Sequence, residues 1–184
     1  MKREEEIMSV TVGTPDVLNN TIYLADYNPA WPSVFALLEK GIRRILGDKV
    51  LLLEHVGSTS VPGLSAKPII DMVLAVADSS DESGYVPQLE TLGYVLKIRE
   101  PDWYEHRVLK LQDTKANLHV FTSGCEEIER MIAFRDRLRH HPEDMKLYEV
   151  TKRKLSQQTW KYVQDYADAK SAVVREIMER AYFR

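Results

Sequence analysis

Glu54-His55-Val56-Gly57-Ser58-Thr59-Ser60-Val61-Pro62-Gly63-Leu64-Ser65-Ala66-Lys67-Pro68-Ile69-Ile70-Asp71-Met72-Val73 joins two apolar runs through a loop rich in turn residues. Twelve residues separate Ser58 from Asp71. Gly57 lets the backbone approach a ligand closely, and Ser58 offers a hydroxyl and an N–H to a phosphate oxygen. Asp71 is ill-placed inside a strand unless something offsets its charge. A metal-bound nucleotide is one such thing. Taken alone, the same spacing also describes a tight turn followed by an aspartate that caps a neighbouring loop.

Working outward, the run Val50–Glu54 reads as a buried strand before the loop, and Ile69–Val76 as a second one after it. On the N-terminal side, Pro32 to Leu46 has the period and length of a helix, with proline in its first turn and Gly47 as its stop. A short strand is expected at Thr21–Ala25, and residues 1–20 lack sustained periodicity and read as a mobile leader. On the C-terminal side, 79–84 reads as a loop, followed by a short helix ending at Gly93. Tyr94–Ile98, Glu105–Leu111 and Asn117–Phe121 are three further strands. The last third reads as helices over 126–140, 143–162 and 165–183. The expected class is α+β: a mixed sheet with helices packed on it and a C-terminal helical cap, in one domain over 21–184.

Several separated stretches carry a resemblance. They are the Gly-Ser loop, Tyr27-Asn28-Pro29-Ala30-Trp31, Asn117-Leu118-His119-Val120-Phe121, Phe134-Arg135-Asp136-Arg137-Leu138-Arg139 and Tyr166-Ala167-Asp168-Ala169-Lys170. Present in this order, they make the chain similar to the GrpB family, a branch of the nucleotidyltransferase-like fold, from about Ile22 to Ala181. The resemblance implies a nucleotide, or another phosphorylated small molecule, held by Gly57 and Ser58; Lys67, at the mouth of the Asp71 strand, either reaches a phosphate or is a solvated loop lysine. The same resemblance implies Mg2+ on Asp71 and nucleotidyl transfer to a small acceptor. It also implies an alternative, a binding or regulatory module without chemistry, with a partner in coenzyme A metabolism. Nucleotidyltransferases usually carry a pair of carboxylates two residues apart, because alternate strand residues share a face. Here the second position is Val73, which cannot bind a metal.

Composition narrows the class further. At 184 residues the chain suits one domain with a substantial core, and 44% hydrophobic with 29% charged residues is ordinary for a globular protein. A net charge of −3 argues against a general nucleic-acid scaffold, though not against a local basic pocket. The single cysteine, Cys125, cannot form an internal disulfide and suits a reducing, cytoplasmic compartment. No apolar run is long enough for a membrane span.

Two basic residues sit on apolar helix faces. Arg135 falls within the stripe Ile128, Met131, Ile132 and Leu138, whereas Arg137 is expected on the opposite, exposed face. Lys170 falls within the stripe Tyr166, Val173, Val174, Ile177 and Ala181. A charge on a core face is costly unless paired or bound to an anion, so Arg135 and Lys170 are candidate phosphate ligands. The other role open to Arg135 is to tie down a carboxylate such as Asp71 or Glu54, and the other role open to Lys170 is merely to snorkel. His119 shares a strand face with Asn117 and Phe121 and is a candidate acid or base beside Asp71. His119 with Asp71 would also suit a metal hydrolase, although no compact ligand motif supports one. Asp102 to Arg107 opens the adjacent strand: half of it reads as a solvated hairpin end, and Glu105 and Arg107, which share the face opposite His106, could line the pocket with either sign of charge. His55 is read as orienting the loop.

Overall fold

The computed structural model describes residues 2–113 and 115–182. In chain order its elements are α1 (Lys2–Val10), β1 (Val17–Asn20), α2 (Trp31–Leu46), β2 (Leu52–Val56), β3 (Ile70–Val76), α3 (Val86–Glu90), β4 (Tyr94–Glu100), β5 (His106–Leu111) and β6 (Ala116–Thr122). Then come α4 (Glu126–His140), α5 (Pro142–Ser156), β7 (Trp160–Tyr162), α6 (Val163–Ala169) and α7 (Ser171–Tyr182). The main sheet has the order β2-β3-β6-β5-β4, with β3 and β6 parallel and the other neighbours antiparallel. This is the expected α+β class: a mixed sheet, helices packed on it and a helical C-terminal third.

The period-2 alternation of the strands separates two faces. Met72 and Leu74 of β3, Leu118 and Val120 of β6 and Leu109 of β5 point to one side. There they form the principal core with Trp31, Ile42 and Leu46 of α2 and Leu89 of α3. The opposite face carries Val73, Ala75 and Phe121 under Ile128 of α4. It also carries Asp71, Asn117 and His119, since Asp71 pairs with Asn117 and Val73 with His119 in the parallel ladder. A third cluster, Val61, Leu64, Leu138, Tyr148, Val173 and Ile177, clamps the Gly-Ser loop to α4, α5 and α7. Tertiary packing thus holds the loop from above and the sheet holds it from below.

Four expectations change. Residues 2–20 hold a helix and a strand in place of a structureless leader, residue 1 lying outside the described residues: Ile7 is buried, and Val12 N–H donates to the Lys97 carbonyl at 2.9 Å. The strand expected at Thr21–Ala25 reduces to a single bridge, Ala25 with Ala66, because β1 lies earlier and pairs with β7. The helix expected over 143–162 ends at Ser156, and the one over 165–183 divides between α6 and α7 at Lys170, residue 183 lying outside the described residues. Arg137 is not on an exposed face. Its side chain is 7% exposed and its Nε donates to the wholly buried Asp144 at 2.6 Å. α5 packs across that side of α4 and gives Arg137 a buried partner that periodicity within α4 cannot reveal.

Candidate functional site

Gly57 leaves β2 at φ 70°, a backbone region open to glycine, and the chain turns at once into a single 3-10 turn over Ser58–Ser60. A side chain here would collide with the site itself: a Cβ on Gly57 would lie 2.8 Å from Asp71 Oδ2 and 3.0 Å from Asp71 Cβ. The turn is fixed from behind. His55 Nε2 meets Thr59 Oγ1 at 3.0 Å, Thr59 donates to the Ile69 carbonyl at 3.0 Å, and Arg139 forks onto the Ser60 carbonyl at 2.8 and 3.0 Å. His55 is buried against Phe35, and that burial pushes its pKa down to about 4, so it is a neutral strut.

In front of the turn lies a cleft of about 910 Å³ between the sheet, α1, α4 and the α5–α6 region. Gly57, Ser58, Lys67, Asp71, His119 and Lys170 all line it, so the structure brings these candidate residues together. Arg135 is placed elsewhere. Its guanidinium donates to Glu54 at 2.7 Å, to the His55 carbonyl at 2.9 Å and to Asp136 at 2.8 Å, fastening α4 to β2. Glu105 and Arg107 bond to each other at 3.1 Å, and Arg107 also bonds Glu82, outside the cleft lining.

Asp71 accepts a hydrogen bond from Asn117 Nδ2 at 2.9 Å, and His119 Nε2 lies 3.9 Å from its Oδ1. Burial pushes the Asp71 carboxyl up; His119 beside it, the Asn117 amide and Lys67 outweigh that and hold it below the ordinary carboxylate value. Lys67, Lys152 and Lys170 line the same cleft, whose lining also holds other carboxylates, Asp168 and Glu100 among them. Burial depresses Lys67 and Lys170, and Lys152, only 2% exposed, is brought down to about 7 by burial with Lys170 adding to the effect. Lys152 Nζ donates to Ser58 Oγ at 2.9 Å and to the Ser65 carbonyl, and it lies over the Tyr148 ring. Among the described residues none of the three has a carboxylate within 4 Å. Carboxylates farther off, Asp71 for Lys67 and Lys170 and Glu149 for Lys152, offset the burial only in part, and an anion entering the cleft lowers the cost that is left.

Lys152 and His106 escaped the sequence reading. Lys152 carried the signal that exposed Lys170, since it follows Met145 and Tyr148 at helical spacing. His106 was given no role of its own, yet it is 5% exposed beside His119. Two-metal chemistry finds no donor set. Among the described residues no three His, Cys, Asp or Glu side chains converge on one point, and Val73 is wholly buried beneath Ile128. Asp71 is the carboxylate that lies against the Gly57 turn.

A family model described as GrpB protein matches residues 21–180. A UPF0157 protein from Halalkalibacterium halodurans is 57% identical over 180 residues, spanning 98% of this chain and 92% of that one. Among solved structures, the conserved protein GrpB from Enterococcus faecalis superposes with a TM-score of 0.76 at 31% identity, over 86% of this chain and 96% of that one. A dephospho-CoA kinase from Mycolicibacterium paratuberculosis is 23% identical over a region spanning 93% of this chain and 48% of that protein. Among the described residues no helix is long and apolar enough to cross a membrane.

Proposed function

The chain belongs to the GrpB family, and from that premise we propose that its cleft binds a nucleotide or another phosphorylated small molecule. The observation that carries this reading is the trio Lys67, Lys152 and Lys170, one buried and two half-buried, which line one cleft with no carboxylate within 4 Å among the described residues. Ser58 and the turn that follows Gly57 hold phosphate oxygens, the lysines neutralise them, and Asp71 takes a single Mg2+ that arrives with the phosphates. The reaction that suits this arrangement is nucleotidyl transfer to a small acceptor by in-line displacement. A second reading, a module that binds without transferring, is favoured by Val73: the usual place of a second carboxylate is sealed under α4. The similarity to about half of a dephospho-CoA kinase supports a link to coenzyme A metabolism for that reading.

Thermal unfolding with ATP, ADP and phosphorylated metabolites, with and without Mg2+, tests the proposal. A ligand at about a hundred times its dissociation constant stabilises the fold by roughly 2.7 kcal/mol. Lys67→Met with Lys170→Met abolishes the shift, and Asp71→Asn keeps the fold while removing its Mg2+ dependence. A protein that none of these anions stabilises, or a double variant that responds as the parent does, would sink the assignment.

A further inference from the structure

Tyr166 of α6 is 2% exposed, and its hydroxyl has no hydrogen-bond partner among the described residues. A buried hydroxyl left unpaired is costly, and native folds mostly avoid it. Tyr94 has an unpaired hydroxyl too, but it lies in the principal core and outside the cleft lining. Tyr166 lines the cleft. Its ring meets Trp160 at 6.2 Å, and Lys170, four residues on along the chain, places Nζ 4.7 Å over it. Burial pushes the pKa of the Tyr166 hydroxyl up and nearby Tyr148 adds to that, so the group keeps its proton and is available as a donor.

The hydroxyl belongs to the Ser58 end of the cleft. Lys152 Nζ lies 4.9 Å over the ring of Tyr148, the same tyrosine that acts on Tyr166. Apart from burial, Lys170 is the main influence that depresses Lys152, so the two ammonium groups are close. Lys152 spends two of its three N–H groups on Ser58 Oγ and the Ser65 carbonyl. Ser58 Oγ accepts the first of these bonds, which leaves its own hydrogen to donate. Ser58, Lys152, Lys170 and Tyr166 therefore bring four donors together from the turn, α5 and the end of α6. A phosphate inside a diester has two peripheral oxygens and one charge. A terminal phosphate has three such oxygens and nearly two charges near neutral pH, which is the better match.

We infer that the Ser58 end of the cleft takes a terminal, unsubstituted phosphate group and that the Tyr166 hydroxyl donates to it. This rests on the binding reading above and narrows its ligand class to compounds that end in a phosphate. Inorganic pyrophosphate and ATP then bind, whereas a phosphate esterified on two sides does not. The anion draws Lys170 off the tyrosine ring, gives the hydroxyl the partner it lacks and screens Lys152 from Lys170.

Calorimetric titration of wild type, Tyr166→Phe and Tyr94→Phe with inorganic pyrophosphate tests this. Tyr166→Phe weakens pyrophosphate binding by about tenfold or more, because the lost donor serves a charged acceptor. Its urea midpoint without ligand equals or exceeds that of wild type, because an unpaired hydroxyl has gone. Tyr94→Phe shares the second effect and binds as wild type does. Phosphate displaces bound pyrophosphate, and dimethyl phosphate does not. In wild-type protein carrying 13C-labelled tyrosine, the Tyr166 Cζ resonance moves on saturation with pyrophosphate while that of Tyr94 stays, a readout that needs no variant to fold. Pyrophosphate binding unchanged in Tyr166→Phe, a lowered urea midpoint, a Tyr166 resonance that stays put, or displacement by dimethyl phosphate overturns the inference. If ATP still binds in any of those cases, the binding reading stands without Tyr166. Wild-type protein that binds neither ATP nor pyrophosphate ends both.

Discussion

Lys152 concentrates the electrostatics of the cleft in one residue. Its folded pKa of about 7 lies below its ordinary 10.5, because burial and Lys170 disfavour the ammonium. Between those values the unfolded chain binds more protons than the folded one, so ligand-free stability rises as pH climbs through that window. Lys67 and Lys170 are depressed too and act with the same sign. Chemical denaturation from about pH 7 to about pH 9 should therefore show wild-type stability rising relative to Lys152→Met. A bound phosphate favours the ammonium, so ATP binding near neutral pH takes up protons, with up to about one going to Lys152. Calorimetry in two buffers of different ionisation enthalpy reads that uptake directly, and the Lys152→Met variant loses its share. Binding heats that do not depend on the buffer would contradict the depressed lysine.

At the scale of elements, α4 is fastened on two sides by arginines that its own periodicity does not rank correctly. Arg135 links it to β2 through Glu54, whose side chain is 43% exposed and regains water when the arginine goes. Arg135→Met should then cost about 1–2 kcal/mol, the range for lost charge-assisted hydrogen bonds near a surface. Arg137 links α4 to α5 through Asp144, which is fully buried. Arg180 still serves Asp144 at 2.7 Å, so Arg137→Met should cost roughly 3 kcal/mol, the lower end for breaking a buried pair. Urea denaturation of the two variants checks the order, and neither change should alter ATP affinity by more than about twofold, because both residues lie outside the cleft. A larger loss for Arg135→Met would mean that the buried pair is not what joins the helices.

For the whole molecule, the cleft has one firm wall and one weakly held wall. The floor is β3 and β6, parallel, central and buried. The far wall includes α1, attached to α6 through Arg3 with Asp165 and Asp168 and to β7 through Lys161 with Glu4. These ion pairs are largely exposed and each contributes about 1 kcal/mol or less. Hydrogen exchange should thus be slowest in β3 and β6 and fast in α1, with ATP slowing α1 more than it slows the sheet. Added salt should speed exchange in α1 selectively. Uniform protection of α1 and β3 would show that the wall is part of the rigid core.

The chain by itself determined the elements whose signals are local. Alternating and continuous apolar runs gave β2, β3, β5 and β6 to within two residues, Pro32 and Gly47 bounded α2, and Gly57 with Asp71 marked the turn and the floor of the cleft. Basic residues on apolar helix faces pointed to Lys170 and to an inward Arg135. Only the tertiary structure decided what those residues meet. Which carboxylate Arg135 binds, that Arg137 has a buried partner, and that Val73 lies sealed under Ile128 depend on how α4 crosses the sheet and α5 crosses α4. The row Glu100, His106, His119 and Asp71 on the cleft face of the sheet is non-local as well. It exists because four strands lie side by side and because a bulge at Lys97, invisible in the alternation of β4, turns Glu100 toward His106. Periodicity reports the face a side chain takes on its own element, whereas partners and charge balance arise between elements distant in sequence.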